Sequence, residues 1–146
     1  MTRSIDVPLG PAEAFRLFTD EIDRWFVRGP YSWADPQRAR GIRFEPGVGG
    51  RLVEIWDAAT GEGYDLGRVV AWEPGARIGL LYRFPGLPGP ESELTVRFEA
   101  APGGARVTLT HTVDGLSPGE ARAFGGRSWK SLLAAFARYA ANFAPA

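Results

Sequence analysis

The sequence predicts a single α+β domain: an antiparallel sheet of six to seven strands, with helices before and after it. Three observations carry this. Apolar residues recur at three- and four-residue steps near both ends of the chain, the period of an amphipathic helix. Between them, from residue 42 to residue 113, the period drops to two and Gly/Pro turn signals interrupt it. The length of 146 residues fits one domain, which at that size removes about 70% of its unfolded surface from water.

The elements follow in order. Residues 3–7 alternate in part and read as a first strand, broken by Pro8-Leu9-Gly10-Pro11. Pro11 with Glu13 makes a helix start, because proline suits the first helical position and an acid the first turn. Phe15, Phe18, Ile22 and Trp25 then form one stripe, which Thr19-Asp20 divides into two short helices. Residues 27–41 mix glycine, proline and charge, and read as a connection carrying Tyr31 and Trp33. Strands are expected at 42–45, 51–57, 64–73, 77–84, 93–99 and 105–113, joined by turns such as Pro46-Gly47-Val48-Gly49-Gly50, Pro74-Gly75 and Pro102-Gly103-Gly104. In the later strands one parity is apolar: Leu94, Val96 and Phe98, then Val107, Leu109, His111 and Val113. Trp56 and Trp72 are harder to place, since their strands are apolar on both parities.

The last element has the clearest start. Ser117-Pro118-Gly119-Glu120 offers an N-cap serine, proline at the first helical position and glutamate at the third, a capping box. Trp129, Leu132, Leu133, Phe136, Ala140 and Phe143 share a face beyond it. A helix over 118–143 would be roughly 39 Å long at 1.5 Å per residue and must lie across the sheet. Gly125-Gly126 interrupts its propensity at a cost of about 1 kcal/mol per glycine, and reads as a break or a close approach. With the loop 85–90 it is where a lid could hinge.

Composition narrows the chemistry. The chain has no cysteine and one histidine, which removes disulfides, thiolate nucleophiles, zinc ribbons and multi-histidine metal sites. Seventeen basic residues balance seventeen acidic ones, so neither nucleic acid nor an anionic membrane surface is an expected partner. All the basic residues but Lys130 are arginine, scattered along the chain rather than clustered. No apolar run has the length of a signal peptide or membrane span, so a cytoplasmic location is expected. The glycines at 47–50 lack the lysine and hydroxyl of a phosphate loop and lie between strands, so they read as a turn.

Several local sequences resemble a known family. They are Val7-Pro8-Leu9-Gly10-Pro11-Ala12-Glu13-Ala14-Phe15, the doublet Trp25-Phe26, Pro46-Gly47-Val48-Gly49-Gly50-Arg51, Gly67-Arg68-Val69-Val70-Ala71-Trp72-Glu73-Pro74 and Arg106-Val107-Thr108-Leu109-Thr110-His111, with the closing Trp129 and its leucines. Their order resembles the helix-grip, or START-like, superfamily, in the branch related to the activator of the heat-shock-protein ATPase. Two positions depart: Phe26 replaces the second Trp of the doublet, and Ala71-Trp72 stands where Glu-Ile is common. The resemblance implies a curved sheet wrapped around the long C-terminal helix, with a ligand cavity between them and two short helices after the first strand.

The expected ligand-contacting residues are Trp25, Trp56, Trp72, Ile78, Leu80, Tyr82, Phe84, Val96, Phe98, Leu109, His111, Phe124, Trp129, Leu133 and Phe136. The alternative is that these side chains simply fill a core. His111 is the candidate acid–base residue, being the only imidazole and of inward parity; against this, a neighbouring hydroxyl or carbonyl could satisfy it. Glu54, Glu62, Tyr64 and Asp65 are further polar candidates, each read as a solvated face residue. No spacing supports a Ser128–His111–Asp114 triad, and neither metal nor cofactor is expected. The leading function is binding of a hydrophobic or aromatic small molecule. A polyketide cyclase/aromatase-like enzyme in the same cavity comes second, and a module stimulating a heat-shock ATPase third. A homodimer through an edge strand or helix end is a further expectation.

Overall fold

The computed structural model describes residues 2–26, 35, 37–82, 92–112 and 118–144, without the side chains of 118–128. Its elements are β1 (Thr2–Val7), α1 (Pro11–Asp20), α2 (Ile22–Trp25), β2 (Gly41–Phe44), β3 (Arg51–Ile55), β4 (Gly63–Glu73), β5 (Arg77–Tyr82), β6 (Ser92–Ala101), β7 (Gly104–Thr112) and α3 (Pro118–Ala141). The seven strands form one antiparallel sheet in the order β1-β7-β6-β5-β4-β3-β2. β1 and β2 are thus its opposite edges, and the α1–α2 segment must cross from one edge to the other. In doing so it packs on β2, β6 and β7, while α3 packs on β1 and on both short helices. The sheet curls into a half-barrel around them.

Local chemistry explains the boundaries. Pro11 opens α1, and Glu21 ends it with non-helical backbone, which produces the expected division into two helices. Gly47 and Gly49 have φ of +89° and +91°, the left-handed region glycine tolerates best. They belong to the β2–β3 turn, whose Gly49 N–H also donates to Val69 O at 2.8 Å. α3 runs without interruption through Gly125-Gly126, so the expected break is absent. Ser117 of the capping box, the loop 85–90 and Phe84 lie outside the described residues, as do the side chains of Phe124 and Ser128.

The ladder register defines the concave face. Ile78, Leu80 and Tyr82 oppose Val96, Leu94 and Ser92, and these continue to Leu109 and His111 on β7. On β4 a bulge between Val69 and Ala71 shifts the parity by one, so that Val69 and Trp72 both pair with inward residues of β5. The register shifts against β3 and against β5 each leave an extra residue on β4, Leu66 and Val70, which explains why β4 looks apolar on both parities. The core runs along this face and under α3, with Phe136, Leu132, Ile78 and Leu109 almost wholly buried.

Candidate functional site

One end of the concave face is filled by rings. Phe44 meets Trp72 at 6.1 Å between centroids, Trp72 meets Phe15 at 5.2 Å, and Phe15 meets Phe98 at 5.3 Å. Phe18 continues the chain to Phe98, Trp25 and Phe136 at 5.6, 4.8 and 5.2 Å. Most of these contacts are edge to face, an arrangement contributing about 0.5–1.5 kcal/mol per pair beyond the area buried. The Trp25 indole N–H donates to Phe18 O at 3.3 Å. Here Trp25, Trp72, Phe98 and Phe136, all expected to contact ligand, pack against one another. Trp72, the departure from the family pattern, belongs to this cluster because the β4 bulge turns it inward.

The other end, where β3, β5 and β7 finish and β4 and β6 begin, is built differently. The rings of Tyr82, His111 and Trp129 form a triangle with centroid distances of 5.7, 5.5 and 6.1 Å. The Trp129 indole N–H donates to His111 Nδ1 at 3.0 Å. Nδ1 accepts, so the neutral ring carries its proton on Nε2, which lies 2.6 Å from Ser92 Oγ. The Ser92 hydroxyl in turn donates to Tyr82 O at 2.9 Å. Burial pushes the His111 pKa down to about 4, which keeps it neutral at physiological pH. With both nitrogens engaged, His111 is a brace tying α3 to β5 and β6. A neighbouring hydroxyl satisfies it, as the alternative reading of the sequence held.

Glu54 corrects another expectation. It is wholly buried rather than a solvated face residue. The backbone N–H of Asp35 and the indole N–H of Trp56 both donate to its Oε2, at 3.0 and 2.7 Å. Burial, together with Tyr64 and Glu54 nearby, pushes the Tyr82 hydroxyl pKa up. Tyr64 is half-buried opposite Glu54, whereas Glu62 and Asp65 are exposed as expected. A signal for Glu54 was present in the sequence: it shares parity with Leu52 and Trp56. Trp56 itself is half-buried just beyond β3 and turns one ring face outward, with the Arg38 guanidinium 5.1 Å from its centroid. The two line an open groove of about 300 Å³ with Gln37, Arg40, Asp57 and Glu62.

Of the remaining expected contacts, Ile78, Leu80, Val96, Leu109 and Leu133 are buried on or against the concave face. They join the two ends. Among the described residues no group of acids and histidine is placed to hold a metal ion, and no helix is long and apolar enough to cross a membrane.

Comparison with known proteins places this architecture. A family model described as activator of Hsp90 ATPase homolog 1-like protein matches residues 8–141. The AHSA1-like protein from Aeromonas hydrophila is 22% identical, with a TM-score of 0.67 over 95% of this chain and 90% of that one. The Aha1 dimer from Colwellia psychrerythraea is 14% identical, with a TM-score of 0.66 over 97% and 95%. DynU16, from the dynemicin biosynthetic locus, is 19% identical, with a TM-score of 0.66 over 95% of this chain and 46% of that one. No curated protein matches the chain in sequence.

Proposed function

The chain belongs to the activator of Hsp90 ATPase homolog 1-like family, and from that premise we propose that it binds a hydrophobic, ring-bearing small molecule between sheet and α3. The site is the polar end of the concave face. The observation that carries the reading is the convergence of Glu54, Tyr64, Tyr82, Ser92, His111 and Trp129 at the end of apolar rows. Apolar walls with a few placed polar groups are the ordinary make-up of a small-molecule site. A purely structural core has no need of a buried carboxylate, whose desolvation costs several kcal/mol. The place of DynU16 in a biosynthetic locus supports a small-molecule role.

Native mass spectrometry and thermal-shift screening against lipids, polyketides and phenols test the proposal. A ligand that raises the melting temperature of the wild type, and does so less for Leu80→Trp, is the expected result. Absence of any bound species across the panel would overturn it.

A cyclase/aromatase-like enzyme using the same space is the second reading, and the buried acid favours it. His111 has both nitrogens engaged by Trp129 and Ser92, and Glu54 beside two phenols is a second group with the required chemistry. Turnover that survives Glu54→Gln unchanged would remove that role. Stimulation of a heat-shock ATPase rests on family membership alone; a mixing experiment with the ATPase that shows no rate increase would end it.

A further inference from the structure

We propose that Arg3 receives the acid group of the ligand: the molecule held between sheet and α3 is an apolar monocarboxylate whose oxygens dock on the Arg3 guanidinium. This rests on the ligand-binding reading above and names its ligand class. β1 alternates cleanly, with Thr2, Ser4 and Asp6 exposed and Arg3, Ile5 and Val7 turned inward. Arg3 stands directly opposite Leu109, one inward position along β7 from His111. It is half-buried. Among the described residues, its Nε is the one side-chain nitrogen or oxygen closed to solvent without a hydrogen-bond partner.

That atom is where four other arginines of the chain hold their acids. The Nε–H groups of Arg16, Arg51, Arg77 and Arg106 donate to Glu13, Glu45, Glu73 and Asp6 at 2.8, 2.9, 2.7 and 3.0 Å. The elements around Arg3 supply no such acid. β7, beside it, has no Asp or Glu between Gly104 and Thr112, and α3, packed on β1, has none between Trp129 and Ala141. Glu120, the one acid of α3, lies about 13 Å further out along the helix axis than Trp129, which itself sits at His111. Asp6 projects from the opposite face of β1, where it holds Arg106. From Trp129 on, the charges of α3 are instead Lys130 and Arg138. A guanidinium cannot shed its charge, so a half-buried one without a counter-ion is costly. Its planar fork matches the two oxygens of a carboxylate. One unit of charge balances a monocarboxylate rather than a phosphate monoester, and Ile5 beside it with Leu109 opposite suits an apolar body.

Three probes share one ring system: 2-naphthoate, the neutral 2-naphthamide and 2-naphthyl phosphate. Each is titrated at neutral pH into the full chain labelled with 15N, following the Arg3 Nε–H and Trp129 indole signals. The expected result is that naphthoate binds at least tenfold more tightly than naphthamide and moves both signals along one curve. In Arg3→Gln that preference falls at least tenfold, while naphthamide changes little. Without ligand, Arg3→Met should melt no lower than the wild type, because an unpaired half-buried charge has been removed. Naphthamide binding the wild type as tightly as naphthoate would overturn the inference, as would a preference that survives in Arg3→Gln. Tighter binding of naphthyl phosphate than of naphthoate overturns the carboxylate assignment, and a lower melting temperature in Arg3→Met would show a structural arginine instead. The wild-type comparison decides the matter even if a variant fails to fold. Binding without preference removes this inference and leaves the ligand-binding reading in place; if no probe moves the Trp129 signal, that reading falls as well.

Discussion

At one end of the concave face, rings from α1, α2, α3 and three strands meet edge to face with no charged group among them. At the other end, a few strand spacings away on the same sheet, a carboxylate, an imidazole, a serine and phenols are buried together. β6 runs through both, with Phe98 in the first and Ser92 in the second. The first region is what hydrophobic burial produces when two short helices are laid across a half-barrel. The second is costly to bury and stands only because its polar atoms find partners. The difference separates side chains that hold the fold together by apolar burial from those whose burial depends on polar partners.

Mutation of each end should therefore give opposite signatures. Phe136→Ala removes a wholly buried ring that meets Phe18 and Trp25, and should cost about 3–5 kcal/mol in urea unfolding. The comparison breaks if a still-folded Phe136→Ala protein loses ligand binding instead. Acid should act at the other end. The His111 pKa is about 4 in the fold against 6.5 as the reference value, so the unfolded chain binds the proton first. The stabilisation from burying the neutral ring is complete above pH 6.5, and about 3 kcal/mol of it is lost as pH falls to 4. Unfolding curves across that window check this, and His111→Gln should flatten them.

Smaller effects sharpen the picture. Trp129→Phe keeps a ring but removes the N–H donor to His111 Nδ1, and should cost about 1–3 kcal/mol. It should also raise the folded-state His111 pKa toward 6.5, since the freed lone pair takes up a proton more readily, and so shrink the loss of stability between pH 6.5 and 4; an unchanged loss would show that Trp129 does not govern the imidazole. Arg38→Ala, over the outer face of Trp56, should change stability by at most about 1 kcal/mol. A larger loss would mean that the outer groove supports the polar end.

Much of this was legible in the sequence. The meander, the split first helix and the long last helix follow from periodicity and from Pro11, Gly47, Gly49 and Pro118. The inward parity of Leu80, Val96, Leu109 and His111 followed as well. What escaped were positions that depend on non-local geometry. The bulge at Val70 of β4 reverses parity without any residue marking it, so the face of Trp72 was left open, while Glu54 was misjudged because its buried N–H partners come from outside its strand. Gly125-Gly126 read as a break or a close approach by propensity, yet α3 passes through without a break. The His111 brace needs Ser92 and Trp129, which are distant in sequence and meet only in the fold.

The tryptophans themselves give the most direct test of the central claim, that one end of the concave face is filled and the other receives a ligand. The indole N–H signals of Trp25, Trp56 and Trp129 report on the ring cluster, the Glu54 carboxylate and the His111 brace respectively. In a titration with 2-naphthol, the Trp129 and Trp56 signals should move together along one saturation curve while that of Trp25 stays in place. Movement of Trp25 alone, or of all three by equal amounts, would contradict the division.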